Sequence, residues 1–429
     1  MHSYRESAGA AHRPGVHHGG MTCNRDADDS ELQAPARPGG RAGRVRVESL
    51  DGVLAVVPHL LGFHPSSSLV VLGIGGPGRQ IKVAFRYDLP DPPDPSQAAE
   101  IAAHATAVLQ RQDLPSAMTV GYGSGSLVTP VTDLLRGALS GASIEIRDQL
   151  RVEDGRYWSY LCADPRCCPA EGVRFDVLRH PAAAALSAAG LTALSDRASL
   201  AHTLAPATAA AGQMRRATER AVRRAAALNR PADQGRSEAG ARLLAESRRS
   251  VQEALARYRS GKAITDHDTI AWLTVALSDL RVRDDAWARM DPDFAVAHRR
   301  LWTDLLRHAI PRLVPAPAAL LAFTAWQGGE GALAIMAVER ALAADPGYSM
   351  ALLLGEAVQA GLPPSAARLP MTPEQVEASY ATAGPAASGS RPVSGSDGTG
   401  GPRPASGSRS VPGPGSGPGS AAGSGQAAG

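Results

Sequence analysis

The segment SLVVLGIGGPGRQIKVAFRYDL (residues 68–89) decides the fold of this chain. Residues 68–74 form an apolar run, which is typical of a buried strand. Residues 75–78 (GGPG) supply turn residues, and residues 81–89 alternate between apolar and polar side chains as a second strand does. The segment therefore predicts a β-hairpin rather than a phosphate-binding loop, because the glycines run into a strand.

Helix and strand patterns alternate on both sides of this hairpin. Ser49 can cap a short apolar helix at residues 50–61, which is expected to be broken near Pro58. The other predicted elements are helices at 95–112 and 127–139, and strands at 117–120, 144–152 and 156–162. This alternation predicts an α/β layered domain with a mixed sheet over residues 45–204.

From residue 205 to residue 364 the apolar positions recur every three or four residues, which predicts an all-α domain. Within it, residues 318–346 resemble one tetratricopeptide unit. The matching positions are Leu321, Ala322, Gly329, Ala334, Val338, Ala341 and Pro346. Because stacked solenoids require about three units, we expect a single helical hairpin within a bundle.

Both ends of the chain are expected to be disordered. Residues 1–44 show no hydrophobic period, and residues 365–429 are low-complexity Gly, Ser, Pro and Ala. The composition of the first twenty residues favours Met21 over Met1 as the start.

Charge and hydropathy restrict the classes of partner. The chain has 44 basic and 41 acidic residues, a balance that does not favour nucleic acid or an anionic membrane. The arginine-rich stretch at 215–224 lacks the interleaved aromatic residues of a nucleic-acid site, so a solvated helix face is expected there. No apolar run is long enough for a membrane span, and the first residues lack the apolar core of a signal peptide. The sequence therefore predicts a cytoplasmic protein with reduced thiols, whose partner is a small molecule or another protein.

A cluster of three cysteines is the least random feature of the chain. Cys162, Cys167 and Cys168 directly follow an aromatic run at 157–160, although aromatic residues make up only 4% of the sequence. Three interpretations stay open: a packed turn, a zinc site, or a redox switch. A zinc site would need a fourth ligand such as His180 or His202. The four residues between Cys162 and Cys167, and the lack of a second pair, depart from the usual structural-zinc spacing and favour packing.

A glycine-rich turn is a second candidate site. GYGSGS (residues 121–126) stands between a predicted strand and a predicted helix, where backbone N–H groups can hold a phosphate. The ligand-binding candidates are Gly121, Gly123, Gly125 and Ser126. The alternative is a plain strand-to-helix turn with Ser126 capping the helix, because neither a dinucleotide fingerprint nor a P-loop lysine is complete.

His59 and Asp88 are weak candidates for a catalytic base and its orienting acid. Nothing in the sequence places the two side chains together. The alternative is that His59 edges a helix-to-strand corner and that Arg86 pairs with Asp88.

Several segments together resemble one family. DGVLAVVPHLLGFHPSSSLVVLG, VAFRYDLP, GRYWSYLCADPRCCPAEG and FTAWQGGEGALAIMAVERALAADPGYSMALLL are similar to the actinobacterial domain of unknown function 4192. The resemblance covers residues 49–364. It implies cytoplasmic residence and carries no assigned activity.

No complete catalytic motif is present, so the leading hypothesis is a non-catalytic protein that binds a ligand or partner, or regulates another protein. One alternative is an enzyme that acts on a nucleotide or another phosphorylated substrate at residues 121–126. Another is a zinc-stabilised structural module.

Overall fold

The structure is a computed structural model that describes residues 32–34, 45–47, 49–76, 79–188, 191–230, 236–364 and 372–382. Two short elements, Leu32–Ala34 and Pro373–Thr382, fall within the segments expected to be disordered. Apart from Thr372, the rest of those two segments, 1–44 and 365–429, lies outside the described residues.

Eight strands in the described part of the chain form one sheet with the order β2-β1-β4-β3-β5-β6-β7-β8. Their bounds are β1 Leu32–Ala34, β2 Val45–Val47, β3 Ser68–Gly75, β4 Gln80–Asp88, β5 Ser116–Tyr122, β6 Glu145–Glu153, β7 Arg156–Ser159 and β8 Val173–Arg174. The sheet is mixed. β5 pairs with β6 in parallel and β1 with β4 in parallel, whereas the remaining neighbours are antiparallel.

The helices alternate with strands in the first half of the chain and then follow one another. Their bounds are α1 Leu50–Leu61, α2 Pro95–Arg111, α3 Gly125–Gly141, α4 Pro181–Ala188, α5 Arg197–His202, α6 Ala211–Leu228, α7 Arg236–Arg259, α8 His267–Ala276, α9 Leu280–Ala288, α10 Ala295–His308, α11 Pro315–Gln327, α12 Gly331–Ala344, α13 Ser349–Gln359 and α14 Pro373–Thr382. The predicted fold class, α/β followed by an all-α part, is confirmed.

Strand β3 lies at the centre of the sheet, and every one of its residues is buried. It pairs with β4 through the predicted hairpin and with β5 on its other side. Leu69 and Val71 pack against α2 and α3 on one face of the sheet. Val70 and Leu72 belong to the hydrophobic cluster on the opposite face. Both faces of the sheet are therefore covered, as the apolar run of β3 requires.

The hydrophobic cluster on the α1 face continues into the helical half. It joins sheet residues such as Val70 and Leu150 to α1 residues such as Leu54, and to Trp302 and Leu321 of the helical half. Helices α11 and α12 form the expected hairpin, with a turn at Gly328 and Gly329. The division of the folded part near residue 204 stays a prediction.

One helix break and one strand boundary differ from the sequence-based expectation. Helix α1 has the predicted bounds, Leu50–Leu61, but it is not broken at Pro58. Proline removes one N–H donor from the helix, but the turn that contains it buries Leu61 and Val57, and this packing outweighs the lost hydrogen bond. Strand β7 ends at Ser159 rather than at residue 162, because the chain there turns into a loop that contains the cysteines.

None of the helices in the described part of the chain combines the length and the apolar run that a membrane span requires.

We expect Leu150→Ala in β6 to lower the free energy of unfolding by about 3 kcal/mol, because Leu150 is fully buried. Since one hydrophobic cluster runs through both halves, the variant should also lower the midpoint of the unfolding transition that tryptophan fluorescence reports. Most tryptophans lie in the helical half, at Trp272, Trp287, Trp302 and Trp326. The control is Leu178→Ala, whose side chain is 82% exposed and which should change stability by less than about 0.5 kcal/mol. If the sheet unfolds at a lower midpoint while the midpoint reported by tryptophan fluorescence does not change, the two halves unfold independently.

Candidate functional site

The cysteine loop, residues 160–172, connects β7 to β8 at one end of the sheet. Its closing end is held by two side chains of β7. Arg156 donates hydrogen bonds to the carbonyl oxygens of Glu171 and Gly172 at 3.1 and 2.8 Å. The indole N–H of Trp158 donates to the carbonyl oxygen of Ala170 at 2.9 Å. The two ends of the loop are therefore fixed close together.

A buried carboxylate holds the opening end of the loop. Asp148 of β6 accepts a hydrogen bond from the Ser159 hydroxyl at 2.7 Å. The same hydroxyl oxygen accepts from the backbone N–H groups of Leu161 and Cys162, each at 3.1 Å. Asp148 also accepts from the backbone N–H of Gln149. Burial nevertheless raises the pKa of Asp148 above its usual range, because desolvation outweighs these bonds.

A turn within the loop brings the three sulfur atoms together. The carbonyl oxygen of Asp164 accepts hydrogen bonds from the N–H groups of Cys167 and Cys168 at 3.1 and 2.8 Å. As a result, the Sγ atoms of Cys162, Cys167 and Cys168 all lie within 4.8 Å of one another. All three residues are partly buried. The structure thus brings together the three residues that the sequence proposed as metal ligands.

The three sulfurs are not chemically equivalent. Cys162 and Cys168 carry free thiols, whereas Cys167 is in a disulfide bond, and neither of the other two is its partner. The expectation of reduced thiols therefore does not hold for Cys167, and this sulfur can ligate a metal only after reduction. Burial, together with the Cys162 thiol beside it, raises the pKa of Cys168 to about 11. In the absence of a cation, Cys168 is thus a protonated thiol and a poor nucleophile at neutral pH.

Acidic and phenolic groups lie next to the sulfurs. Burial raises the pKa of Tyr157, as do the hydrogen-bonded Asp51 carboxylate and the neighbouring Cys168. Asp51 lies in the first turn of α1, so Tyr157 joins the cysteine loop to the start of that helix. The charges that act on Tyr157 and Cys168 thus include the carboxylates of Asp51 and Asp148.

The two histidines considered as a fourth ligand lie elsewhere. His180 accepts a hydrogen bond from the backbone N–H of Ala182 and packs beside Gly52. His202 ends α5. Among the described residues, the ligand atoms within mutual reach at this site are the three sulfurs alone.

The glycine-rich turn serves packing and backbone pairing. A Cβ on Gly121 would overlap the side chain of Val128, so this glycine lets α3 approach β5 closely. Gly123 has a φ of +137° and donates its N–H to the carbonyl oxygen of Val152 at 2.9 Å. Both glycines are thus required by the strand-to-helix turn, without a ligand.

The start of α3 lies next to the cysteine loop. Ser126 shares a hydrogen bond with the hydroxyl of Ser124 at 2.9 Å, and Gly125 faces the guanidinium of Arg151. That guanidinium is paired with Glu153 and stacks 3.7 Å from the ring centroid of Trp158. The positive charge near the helix start is therefore already compensated. Ligand binding at residues 121–126 stays a prediction.

His59 and Asp88 contact different partners. The ring nitrogens of His59 lie 3.1 Å from the Ala55 carbonyl oxygen and 3.1 Å from the Ser187 hydroxyl, which ties α1 to α4. Burial lowers the pKa of His59, so the ring is neutral at pH 7. Asp88 forms an ion pair with Arg86. The described contacts assign both side chains structural partners, and a catalytic role stays a prediction.

Sequence reasoning considered Asp148 only as a ribose-binding acid beside the glycine-rich turn, and it missed that Asp148 and Ser159 position the cysteine loop. An aspartate within a strand carries no signal that it is buried, and only the β6–β7 pairing, Leu150 with Ser159, brings the two side chains within hydrogen-bond distance.

A comparison with protein families gives one match, the model of a domain of unknown function (DUF4192), over residues 51–365. No curated protein and no solved structure matches the chain.

We expect Gly121→Ala to destabilise the protein by about 1 to 3 kcal/mol, because the added methyl group must displace Val128. The matched control is Gly137→Ala in α3, where a Cβ meets no atom within 4 Å; it should stabilise the helix by about 0.5 to 1 kcal/mol. Thermal unfolding of both variants measures the difference. A fully stable Gly121→Ala protein would contradict a packing role and favour a ligand role for this turn.

We expect Asp148→Asn to become more stable relative to the wild type as the pH rises. The pKa of Asp148 is raised in the folded state, so its ionisation costs more in the folded than in the unfolded chain. Stability is therefore lost from the wild type as the pH rises from below the unfolded pKa through the folded pKa. The amide oxygen of asparagine can keep both accepted hydrogen bonds and carries no charge.

Asp164→Asn is the control for this prediction, because hydrogen bonds from Arg166 lower the pKa of Asp164. Its contribution is present above the unfolded pKa and is lost as the pH falls, so this variant should show the opposite trend. Melting temperatures between pH 3 and pH 8 test both. Parallel curves for wild type and Asp148→Asn would exclude a buried ionisable group at this position.

Proposed function

This chain belongs to the DUF4192 family, and we propose that it is a non-catalytic regulatory protein whose cysteine loop binds one zinc ion when its sulfurs are reduced. The observation that carries the proposal is the approach of the Cys162, Cys167 and Cys168 Sγ atoms to within 4.8 Å of one another. In a tetrahedral site with Zn–S bonds of about 2.3 Å, sulfur atoms lie about 3.8 Å apart. The loop therefore has to close only slightly.

The electrostatics of the loop supports a cation. Burial, together with the Cys162 thiol beside it, raises the pKa of Cys168 to about 11. Thiolates this close together repel one another unless a cation lies between them. A bound zinc ion reverses this effect and deprotonates the thiols that coordinate it. Binding thus releases protons, and the affinity for zinc should rise with pH.

The disulfide at Cys167 links metal binding to redox state. A dithiol reductant supplies two electrons and two protons and converts the disulfide into two thiols. Cys167 then becomes the third sulfur ligand. A thiol site of this kind is typical of a reducing compartment such as the cytoplasm, the location expected from the sequence.

The sulfurs provide three ligands, so the fourth position is left to water or to a group from a partner. A structural zinc site usually has four protein ligands, and a site with three is open to exchange. The protein therefore responds to zinc and to thiol oxidation, and the effect reaches α1 through Tyr157 and Asp51.

A role as an enzyme on phosphorylated substrates is less well supported. Gly121 and Gly123 are accounted for by packing and backbone pairing, and Arg151 is neutralised by Glu153. These contacts leave no uncompensated positive charge at the start of α3.

We expect reduced protein, purified without an affinity tag, to contain about one zinc ion per chain. Cys162→Ser and Cys168→Ser should each lose the metal, and removal of zinc by a chelator should lower the melting temperature of the wild type only. Elemental analysis and thermal unfolding measure these effects. Oxidation by a low-molecular-weight disulfide should release the ion.

Cys23→Ser is the control for the loss of a cysteine outside the loop, and the reduced variant should keep its zinc. Absence of zinc from the reduced wild type, together with a melting temperature that chelators do not change, would overturn the proposal. The cysteines would then serve packing alone.

A further inference from the structure

Helix α14 docks on the surface of the helical half. It packs against α9 and also reaches α7. Val376 is the buried apolar residue of α14, at 4% exposure. The Tyr380 hydroxyl donates a hydrogen bond to Asp284 at 2.5 Å, and Glu377 forms an ion pair with Arg248. An aliphatic side chain, the acidic residue next to it and a tyrosine one turn later thus provide the contacts.

Arginines of the receiving surface lie near both ends of α14. The helix carries Glu374 and Glu377 and no basic residue. A hydrogen bond with Thr372 lowers the pKa of Glu374, and so does the positive charge of Arg289, near the end of α9. The guanidinium of Arg281 lies 5.4 Å from the ring centroid of Tyr380. The two helices therefore run antiparallel, and the acidic helix lies on a surface that carries both arginines and aspartates.

The receiving surface is itself preorganised. Asp284 is fixed by Arg283, whose guanidinium lies 2.6 Å from the carboxylate and also donates to the Tyr348 hydroxyl at 3.1 Å. Both charged side chains are largely buried. The acceptor for Tyr380 is thus held in place by contacts that do not involve α14.

Hydrogen bonds between neighbouring residues fix the N-terminus of α14. The Thr372 hydroxyl accepts a hydrogen bond from the N–H of Gln375 at 3.3 Å, and the Gln375 side chain accepts from the N–H of Thr372 at 2.8 Å. This reciprocal pair is a capping box, and Pro373 occupies the first helical position. An isolated helix of this length is only marginally stable in water, so docking supplies the rest of its stability.

We propose that the surface between α7 and α9 is a binding site for short acidic amphipathic helices and that α14 is its built-in, displaceable occupant. The partner class is a helix of another protein with an aliphatic residue, an acidic residue directly after it and a tyrosine four positions after the aliphatic one. One buried aliphatic side chain, one ion pair and one hydrogen bond give α14 a weak hold. Its attachment to the chain nevertheless gives it a high effective concentration, so it keeps the site closed to weak competitors.

The test uses the full chain with Val376→Asp, which places a charge where the buried side chain of α14 docks. A fluorescent peptide of residues 370–384 should bind this variant at least about tenfold more tightly than it binds the wild type, because the tethered competitor is weakened. Fluorescence anisotropy measures the affinity. A peptide that carries Val376→Asp itself should not bind.

Glu377→Arg provides a second chain variant that leaves the apolar contact untouched. It repels Arg248, so the wild-type peptide should bind this chain more tightly than the wild-type chain. Adding Arg248→Glu to the same chain restores the ion pair within the molecule and should exclude the wild-type peptide again, by about fivefold. Circular dichroism and thermal unfolding verify that each variant is folded.

Two results would overturn the inference. In the first, folded Val376→Asp and Glu377→Arg chains bind the peptide no better than the wild type. In the second, the peptide binds both chains but a peptide of scrambled sequence binds equally well, which would show that the surface does not recognise the pattern of α14.

Discussion

The complete burial of β3 is the constraint on which the rest of the structure depends. A strand without a solvent-facing side must have a layer on each face, and this chain provides the layers by different means. Helices α2 and α3 cover one face directly from the adjoining sequence. The other face is covered by α1, whose hydrophobic cluster continues into the helical half. The helical half is therefore part of the packing that the sheet requires.

The same constraint determines where chemistry can occur. With both faces of the sheet covered, reactive side chains have to lie at its ends or in connections between strands. The cysteine loop is such a connection, and it is held by groups of the sheet itself, Asp148 through Ser159 at one end and Arg156 at the other. This anchoring gives a loop of small and polar residues a defined conformation. The sulfurs are close together because their backbone is fixed.

Elements that depend on neighbouring residues could be predicted from the sequence, whereas those determined by packing between distant residues could not. The β3–β4 hairpin, α3 and the α11–α12 hairpin follow from local periodicity and turn residues. The continuation of α1 through Pro58 does not, since burial of Leu61 outweighs a local preference. The sequence singled out the three cysteines but left packing, zinc and redox interpretations open, whereas their support by Asp148 required the strand pairing.

Trp158 is enclosed on two sides. The Arg151 guanidinium stacks on its ring, and a Cβ at position 172 would lie 2.5 Å from the indole. Gly172 also has a φ of +78°, so a larger residue there is strained even without the indole. The two positions therefore cannot vary independently during evolution. In relatives that keep this loop, tryptophan at this position should be accompanied by glycine, whereas the glycine should persist where the tryptophan is lost.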